Sequence, residues 1–424
     1  MTTRDNVPAV EPCMAERLAA LAADPKVAAA LKVCADEVER AMAEQVRISQ
    51  IEAPTFAEAV RGEEIARLMK EYGLEDVVVD ESRNVVGRRP GTGSGPTLAI
   101  AAHLDTVFPA GTDLTVRKEG ALYYGPGIGD NASGLRSMLQ VLRALNKAGI
   151  ETEGDILFVG TVGEEGNGDI CGAKALFDGS RQIDGFCALD MGDVYTVQNA
   201  ATGAHRWRIA IEGQGGHSYI DYGRVPSAIH AMCRAGAVIA DIVTPADPKT
   251  TFTIGTIKGG TTVNTIAARC EVDVDMRSTS LEELDKLERT VLGAFEKAVA
   301  DENARWPEAD AEHQLRLVKT QIGNRPAGQQ PDSSPAVQAA LAAMAQMGLE
   351  VRQFRASSTD ANKPISIGVP SVCIGTGGVT HNEHSLKEFF DSTDMEKGPQ
   401  LALLIALALV GRKGDEPALE KHVY

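Results

Sequence analysis

Short apolar runs, bounded by turn residues and separated by helical stretches, organise this chain. Residues 14–72 carry alanine and leucine at helical spacing (AERLAALAADPKVAAALKVCADEVERAMAEQVRISQI), which predicts helix throughout. Pro54 interrupts it, and a second helix over 56–72 ends at Gly73, a C-cap residue. Residues 76–89 alternate as strand does. TLAIAA at 97–102, ILFV at 156–159 and GFCAL at 185–189 are continuous apolar runs, the pattern of strands buried on both faces of a mostly parallel sheet. Further helices are predicted over 135–149, 173–177, 335–347 and 401–410, and VPSVCIGTGG reads as a late strand entering a glycine turn.

From Thr202 the pattern changes. Strand (HRWRIAIEG), helix (227–242), two paired strands (TFTIGTIKGG and EVDVDMRS), a long helix (280–303) and a closing strand (HQLRLVK) follow in that order. Strand-helix-strand-strand-helix-strand is the split βαβ, ferredoxin-like arrangement. The expected fold is therefore α/β. A mixed, mostly parallel central sheet flanked by helices, over 1–201 and 323–424, carries an inserted ferredoxin-like α+β domain over 202–322. GNRPAGQQPDSSP is the linker back.

Each apolar run ends in a residue of metal-binding type. His103 and Asp105 follow the first; at i, i+2 on a strand they project to one side, and a carboxylate behind an imidazole fixes its tautomer and strengthens it as a ligand. GPGIGDNASG brings Asp130 to the start of a helix, where Asp130 or Asn131 can equally serve as N-cap. TVGEEGNGD sets Glu164 beside Glu165. Neighbours on extended backbone point to opposite sides, so one can face a cation and the other the space in front of it. Asp190 ends the third run, His381 and His384 share one late loop, and GQGGHSYID carries His217 on a glycine-rich turn.

Taken together and in order, HLDTVFP, GPGIGDNASG, GEEG, the strand-terminal Asp190, GGHS and a late HxxxE resemble the two-metal peptidase family of aminoacylase, glutamate carboxypeptidase, acetylornithine deacetylase, succinyl-diaminopimelate desuccinylase and peptidase T. The resemblance covers nearly the whole chain. It implies that Asp130 bridges two divalent ions, that His103 and Asp190 complete one site, and that Glu165 and His384 complete the other. It implies Glu164 as general base, Asp105 as the partner of His103, and a cis peptide after Asp130. His217, on the inserted lid, would reach a neighbouring subunit's active site to stabilise an oxyanion. Asn264 and Arg277 would hold the substrate's carboxylate or developing charge, and Thr359 and Asp360 fall in the substrate-side loop. His384 is preferred to His381 as the last ligand because Glu388 follows it at the family's spacing; His381 then sits at the rim or binds substrate.

The implied activity is hydrolysis of a C–N bond, amide or peptide, in a small carboxylate-bearing substrate, by water activated on two cations. The donor set mixes imidazole and carboxylate without sulfur, which suits zinc foremost, or manganese or cobalt. The alternative is removal of an aromatic amine by the same attack, as in the family's 5-nitroanthranilate aminohydrolase type, giving 5-nitrosalicylate and ammonia. A non-catalytic relative would lack a ligand or the base, and none is missing.

Composition narrows the partners. Fifty-nine acidic against 42 basic residues give a net charge of -17, which argues against nucleic acid and anionic membrane surfaces. Seven cysteines without a CxxC pair fit reduced thiols. No apolar stretch is long enough to span a bilayer, and the start of the chain lacks a basic-then-apolar leader. A cytoplasmic enzyme, dimeric through the lid, is the expectation.

Overall fold

In the computed structural model, which describes residues 7–93, 95–306 and 313–421, the three apolar runs are the strands Thr97–His103, Asp155–Thr161 and Gly185–Met191. Ser94 of the PGTGSGP turn and the first six residues lie outside the described residues. Strand 97–103 pairs in parallel with both of the others, and Ser371–Gly375 lies parallel to 185–191. Antiparallel strands Asp76–Val79 and Val85–Arg89 extend one side of this sheet; Thr196–Ala201 and Gln353–Ser357 extend the other. The sheet is thus mixed, with a parallel centre.

Alternation explains why these runs are apolar throughout. Leu98, Ile100, Ile156, Phe158, Cys187 and Leu189 join one buried cluster, which includes helices Ala132–Lys147, Pro335–Gln346 and Lys397–Val410. The intervening Ala99, Ala101, Leu157, Val159, Phe186 and Ala188 join another on the opposite face. Both faces of these three runs are covered, so their polar neighbours fall where the runs end.

The helix expected over 14–72 is four helices, Pro12–Ala23, Pro25–Asp36, Val38–Ser49 and Ala59–Glu71. The first break has a local cause. Pro25 has no N–H, and Asp24 caps the next helix by accepting from the amides of Lys26 and Val27 at 2.8 and 3.0 Å. The segment around Thr359 and Asp360, expected as a substrate-side loop, follows strand Gln353–Ser357 and continues into a helical turn at Asn362–Ser366.

The chain divides into two compact units, residues 1–201 with 329–424, and 202–328. The second unit is a four-stranded antiparallel sheet in the order 250–259, 269–278, 203–212, 316–325. Helices Ala228–Ala240 and Leu281–Arg305 pack on one face through Ala231, Ala235, Leu284, Val291 and Phe295 against Ile209, Ile211, Val272 and Val274. This is the ferredoxin-like order. Its last strand runs to Arg325 and pairs Asn324 with His205, so the first residues of the expected linker belong to the sheet. No helix among the described residues is long and apolar enough to cross a membrane.

Candidate metal centre and active site

Three strand ends and one late loop of the first unit meet at Asp130. Its Oδ1 lies 3.0 Å from His103 Nε2, and its Oδ2 lies 3.1 Å from His384 Nε2. Asp190 Oδ1 is 3.5 Å from the same nitrogen of His103, and Glu165 Oε1 is 2.9 Å from that of His384. One carboxylate therefore stands between two imidazoles, and each imidazole has a second carboxylate of its own. Ligand atoms of His103, Asp130 and Glu165 lie within 4.8 Å of one another.

The ambiguity at Asp130-Asn131 is resolved by the cap. Asn131 Oδ1 accepts the Gly134 amide at 2.9 Å and its Nδ2 donates to the Leu189 carbonyl at 2.9 Å, tying the helix start to the strand that ends near Asp190. Asp130 is left to face the two histidines. The Asp130–Asn131 peptide is cis.

Asp105 departs from the simple strand argument. The strand ends at His103, so alternation no longer sets the Asp105 carboxylate squarely behind the ring. His103 Nδ1 instead donates to the main-chain carbonyl of Asp105 at 3.0 Å, with the carboxylate Oδ1 at 3.4 Å. That bond puts a proton on Nδ1 and turns Nε2 toward Asp130. The Asp105 carboxylate accepts the amides of Glu164 and Glu165, each at 2.9 Å, and the Thr55 hydroxyl at 2.9 Å. It fixes the turn that presents both glutamates. That turn begins at Gly163, whose φ of 61° and contact with Cys171 leave no room for a side chain. Glu164 and Glu165 are 5% and 7% exposed, far from the solvated acidic turn that the pair alone would suggest.

Glu388 has a role that its spacing alone did not reveal. Fully buried, it accepts the amides of Gly127, Gly129 and Asp130 at 2.7, 2.9 and 3.0 Å, and so holds the loop that carries Asp130. Asp360, expected beside the substrate, is 3% exposed and accepts the Thr161 hydroxyl beneath the sheet's end. Burial pushes its carboxyl up to about 7. Its neighbour Thr359 is likewise buried and reaches Gln198 through its hydroxyl.

His381 is exposed and stacks on Phe389 with ring centroids 4.5 Å apart. Arg117, Tyr124, Phe389 and His381 form one cross-strand row, each paired in register with the next. The Arg117 guanidinium lies 4.3 Å from the Tyr124 ring centre, and Tyr124 lies 5.3 Å from Phe389. A cavity of about 1260 Å³ is lined by Arg117, Tyr124, Phe389, Leu386 and Glu388 and opens onto His384.

In the second unit, His217 and Asn264 are brought together. Strands Gly216–His217 and Thr265–Ile266 pair, and the Ser218 amide donates to the Asn264 carbonyl at 3.0 Å. His217 Nδ1 accepts the amides of Tyr219 and Ile220 at 3.2 and 3.3 Å. Arg277, half-exposed, donates to Asp275 at 2.7 Å.

The donor set fits divalent cations. Burial opposes charge on His103, yet Asp190, Asp105 and Asp130 hold its pKa well above the ordinary value. Hydrogen bonds to Asp130 and Glu165 push His384 up to about 11. Protons on these rings thus offset three converging carboxylates, a concentration of negative charge that two cations would balance through the same atoms.

The chain is 29% identical over 259 residues to an acetylornithine deacetylase of Erwinia tasmaniensis, a match covering 56% of this chain and 63% of that protein. It spans between 41% and 65% of the length of such relatives. A Staphylococcus aureus tripeptidase has the same fold, with a TM-score of 0.73 at 24% identity over 87% of this chain and 97% of the other. A Bacillus subtilis protein described as a dinuclear metal binding peptidase superposes with a TM-score of 0.61 at 16% identity over 87% and 97% of the two chains. Residues 99–408 match the model of peptidase family M20/M25/M40, and the chain belongs to that family.

Proposed function

We propose that this protein is a metal-dependent hydrolase of C–N bonds, amide or peptide, in small carboxylate-bearing compounds. The observation that carries the reading is Asp130, whose two oxygens each face a different histidine at 3.0 and 3.1 Å. His103, Asp190 and one oxygen of Asp130 would hold one cation; His384, Glu165 and the other oxygen would hold a second. When bound, such a pair supplies Lewis-acid polarisation and lowers the pKa of water toward about 7. Glu164 is the proton carrier in this reading. Its carboxylate takes a proton from the attacking water and returns it to the leaving nitrogen, a role worth roughly 10²–10⁴-fold in rate. Asp105 keeps that glutamate in position by its bond to the Glu164 amide.

The second unit of a neighbouring subunit would bring His217 to the site. With Nδ1 of His217 accepting two amides, its proton sits on Nε2, a donor suited to an oxyanion. Asn264 and Arg277 would bind the substrate's carboxylate. Tyr219, Ile220, Tyr222 and Val263 are more than half exposed around His217 and Asn264 in sequence, which supports burial of this tip against a second subunit. Removing metal by a chelator should abolish turnover. Glu164→Ala should lose turnover while keeping its metal, and retained turnover in that variant would exclude Glu164 as the base.

One observation favours a second reading, hydrolytic deamination of an aromatic amine. The row Arg117, Tyr124, Phe389, His381 offers stacked rings and a cation beside the cavity at His384, a wall suited to a planar anionic ring. Ammonia release from 5-nitroanthranilate, measured against a panel of N-acyl amino acids and short peptides, decides between the two.

A further inference from the structure

The second unit holds another cluster of ligand-type side chains. His205 lies on strand Gly203–Glu212, on the face that continues through Trp207, Ile209 and Ile211. Helix Leu281–Arg305 covers this face. Leu284 and Leu287 enter the core, while Asp285 and Glu288, three residues apart and so on one side of the helix, meet His205. Ligand atoms of His205, Asp285 and Glu288 lie within 4.8 Å of one another.

Two features are left over if this is only an ion pair. His205 is 5% exposed, and its Nδ1, though 3.2 Å from Glu288 Oε2, makes no hydrogen bond. The Asp285 carboxylate has no hydrogen-bond or ion-pair partner among the described residues, although it lies within reach of both others. A buried ring nitrogen that makes no hydrogen bond, set between two carboxylates, is a donor suited to a cation. The second oxygen of Glu288 is meanwhile occupied by the Trp207 indole N–H, which fixes the carboxylate's orientation as outer partners of metal ligands do.

We propose that His205, Asp285 and Glu288 bind a divalent transition cation of the zinc class, separate from the centre at Asp130. One imidazole nitrogen and two carboxylate oxygens suit Zn²⁺, Co²⁺ or Mn²⁺, with water filling the remaining positions. The cation fastens the first strand of the sheet to the helix above it, so the consequence is on the stability of this unit.

The test uses the full chain, stripped of metal and titrated with Zn²⁺ alone. Wild type should bind one equivalent more than Asp285→Asn, a near-isosteric change at a half-buried position that leaves the His205–Glu288 pair in place. In an Asp130→Ala, Glu165→Ala background, which disables the first centre, Zn²⁺ should still raise the unfolding midpoint, and adding Asp285→Asn should remove that rise. Co²⁺ in the same background should give an absorption spectrum without the sulfur charge-transfer band that cysteine ligation would produce. Equal Zn²⁺ stoichiometry in wild type and Asp285→Asn would overturn the proposal and leave a simple ion pair. Should the doubly disabled background not fold, the comparison of those two proteins decides by itself.

Discussion

Replacing Glu388 by glutamine tests whether Asp130 is held by the loop beneath it. The carboxylate accepts three buried amides, Gly129 and Asp130 on Oε1 at 2.9 and 3.0 Å and Gly127 on Oε2 at 2.7 Å. Glutamine keeps one carbonyl oxygen and turns the other position into an NH₂ donor. With the carbonyl serving Gly129 and Asp130, the amide group faces the Gly127 N–H donor to donor. An amide left buried without an acceptor costs about 1–3 kcal/mol, and the other two bonds each fall from about 1.5–3 to about 0.5–1.5 kcal/mol as the charge is lost. The sum is about 3–6 kcal/mol of local stability. Burial pushes Glu388 up to about 7, so its charge is best developed on the alkaline side of neutrality, where the contrast with glutamine is largest.

The effect should reach the cations through Asp130, whose own amide is one of the three. Loss of a residue that orients a metal ligand costs about 10–100-fold in metal affinity. Glu388→Gln should therefore bind metal more weakly by that factor in chelator competition, and its metal-free form should unfold at lower urea. If the variant matches wild type in both measurements on the alkaline side of neutrality, Glu388 does not position Asp130 and the reasoning is wrong.

Three further outcomes follow from the same structure. Asp105→Asn should lose about 100-fold in kcat at saturating metal, the scale of a misplaced catalytic group, because one of the two glutamate amides loses its acceptor; metal titration and steady-state kinetics on one preparation check it. A methyl group at Gly129 would collide with the Thr380 side chain, so Gly129→Ala should destabilise by about 1–3 kcal/mol, and Thr380→Ala in the same chain should recover part of it in urea unfolding. Burial alone would raise the Glu302 carboxyl, but donors from Trp306, Arg234 and Ser227 hold it below its ordinary 4.5. The folded value is depressed, so this stability is present above the ordinary value and lost as pH falls through the folded one; urea midpoints of wild type and Glu302→Gln should converge in acid.

What could be read from the chain and what could not divides along a physical line. His103, Glu165 and Asp190 were legible because the apolar runs 97–102, 156–159 and 185–189 are covered on both faces, so their polar neighbours fall where the runs stop; Asp130 follows no such run and was marked by its helix start and by the family resemblance. At Asp105 the same reasoning gave only part of the arrangement: the carboxylate lies 3.4 Å from His103 Nδ1, but the strand ends at His103, the main-chain carbonyl of Asp105 is nearer the ring, and the carboxylate also holds the Glu164 and Glu165 amides. Glu388 was visible as a spacing mark but not as an acceptor, since its three donors are main-chain amides about which side-chain identity says nothing. The row from Arg117 to His381 was out of reach for another reason. It depends on register across four strands drawn from both ends of the main unit, and no local pattern fixes how 389 meets 124. The cluster at His205 combines the two cases. HRWRIAIEG announces its strand, but only the angle at which Leu281–Arg305 crosses it decides that Asp285 and Glu288, rather than the helix's other acids, arrive at the imidazole. Residues placed by the end of an element can thus be inferred from pattern, whereas residues placed by contact between elements need coordinates. A tight metal centre uses both kinds, its ligands from the first and the groups that orient them from the second.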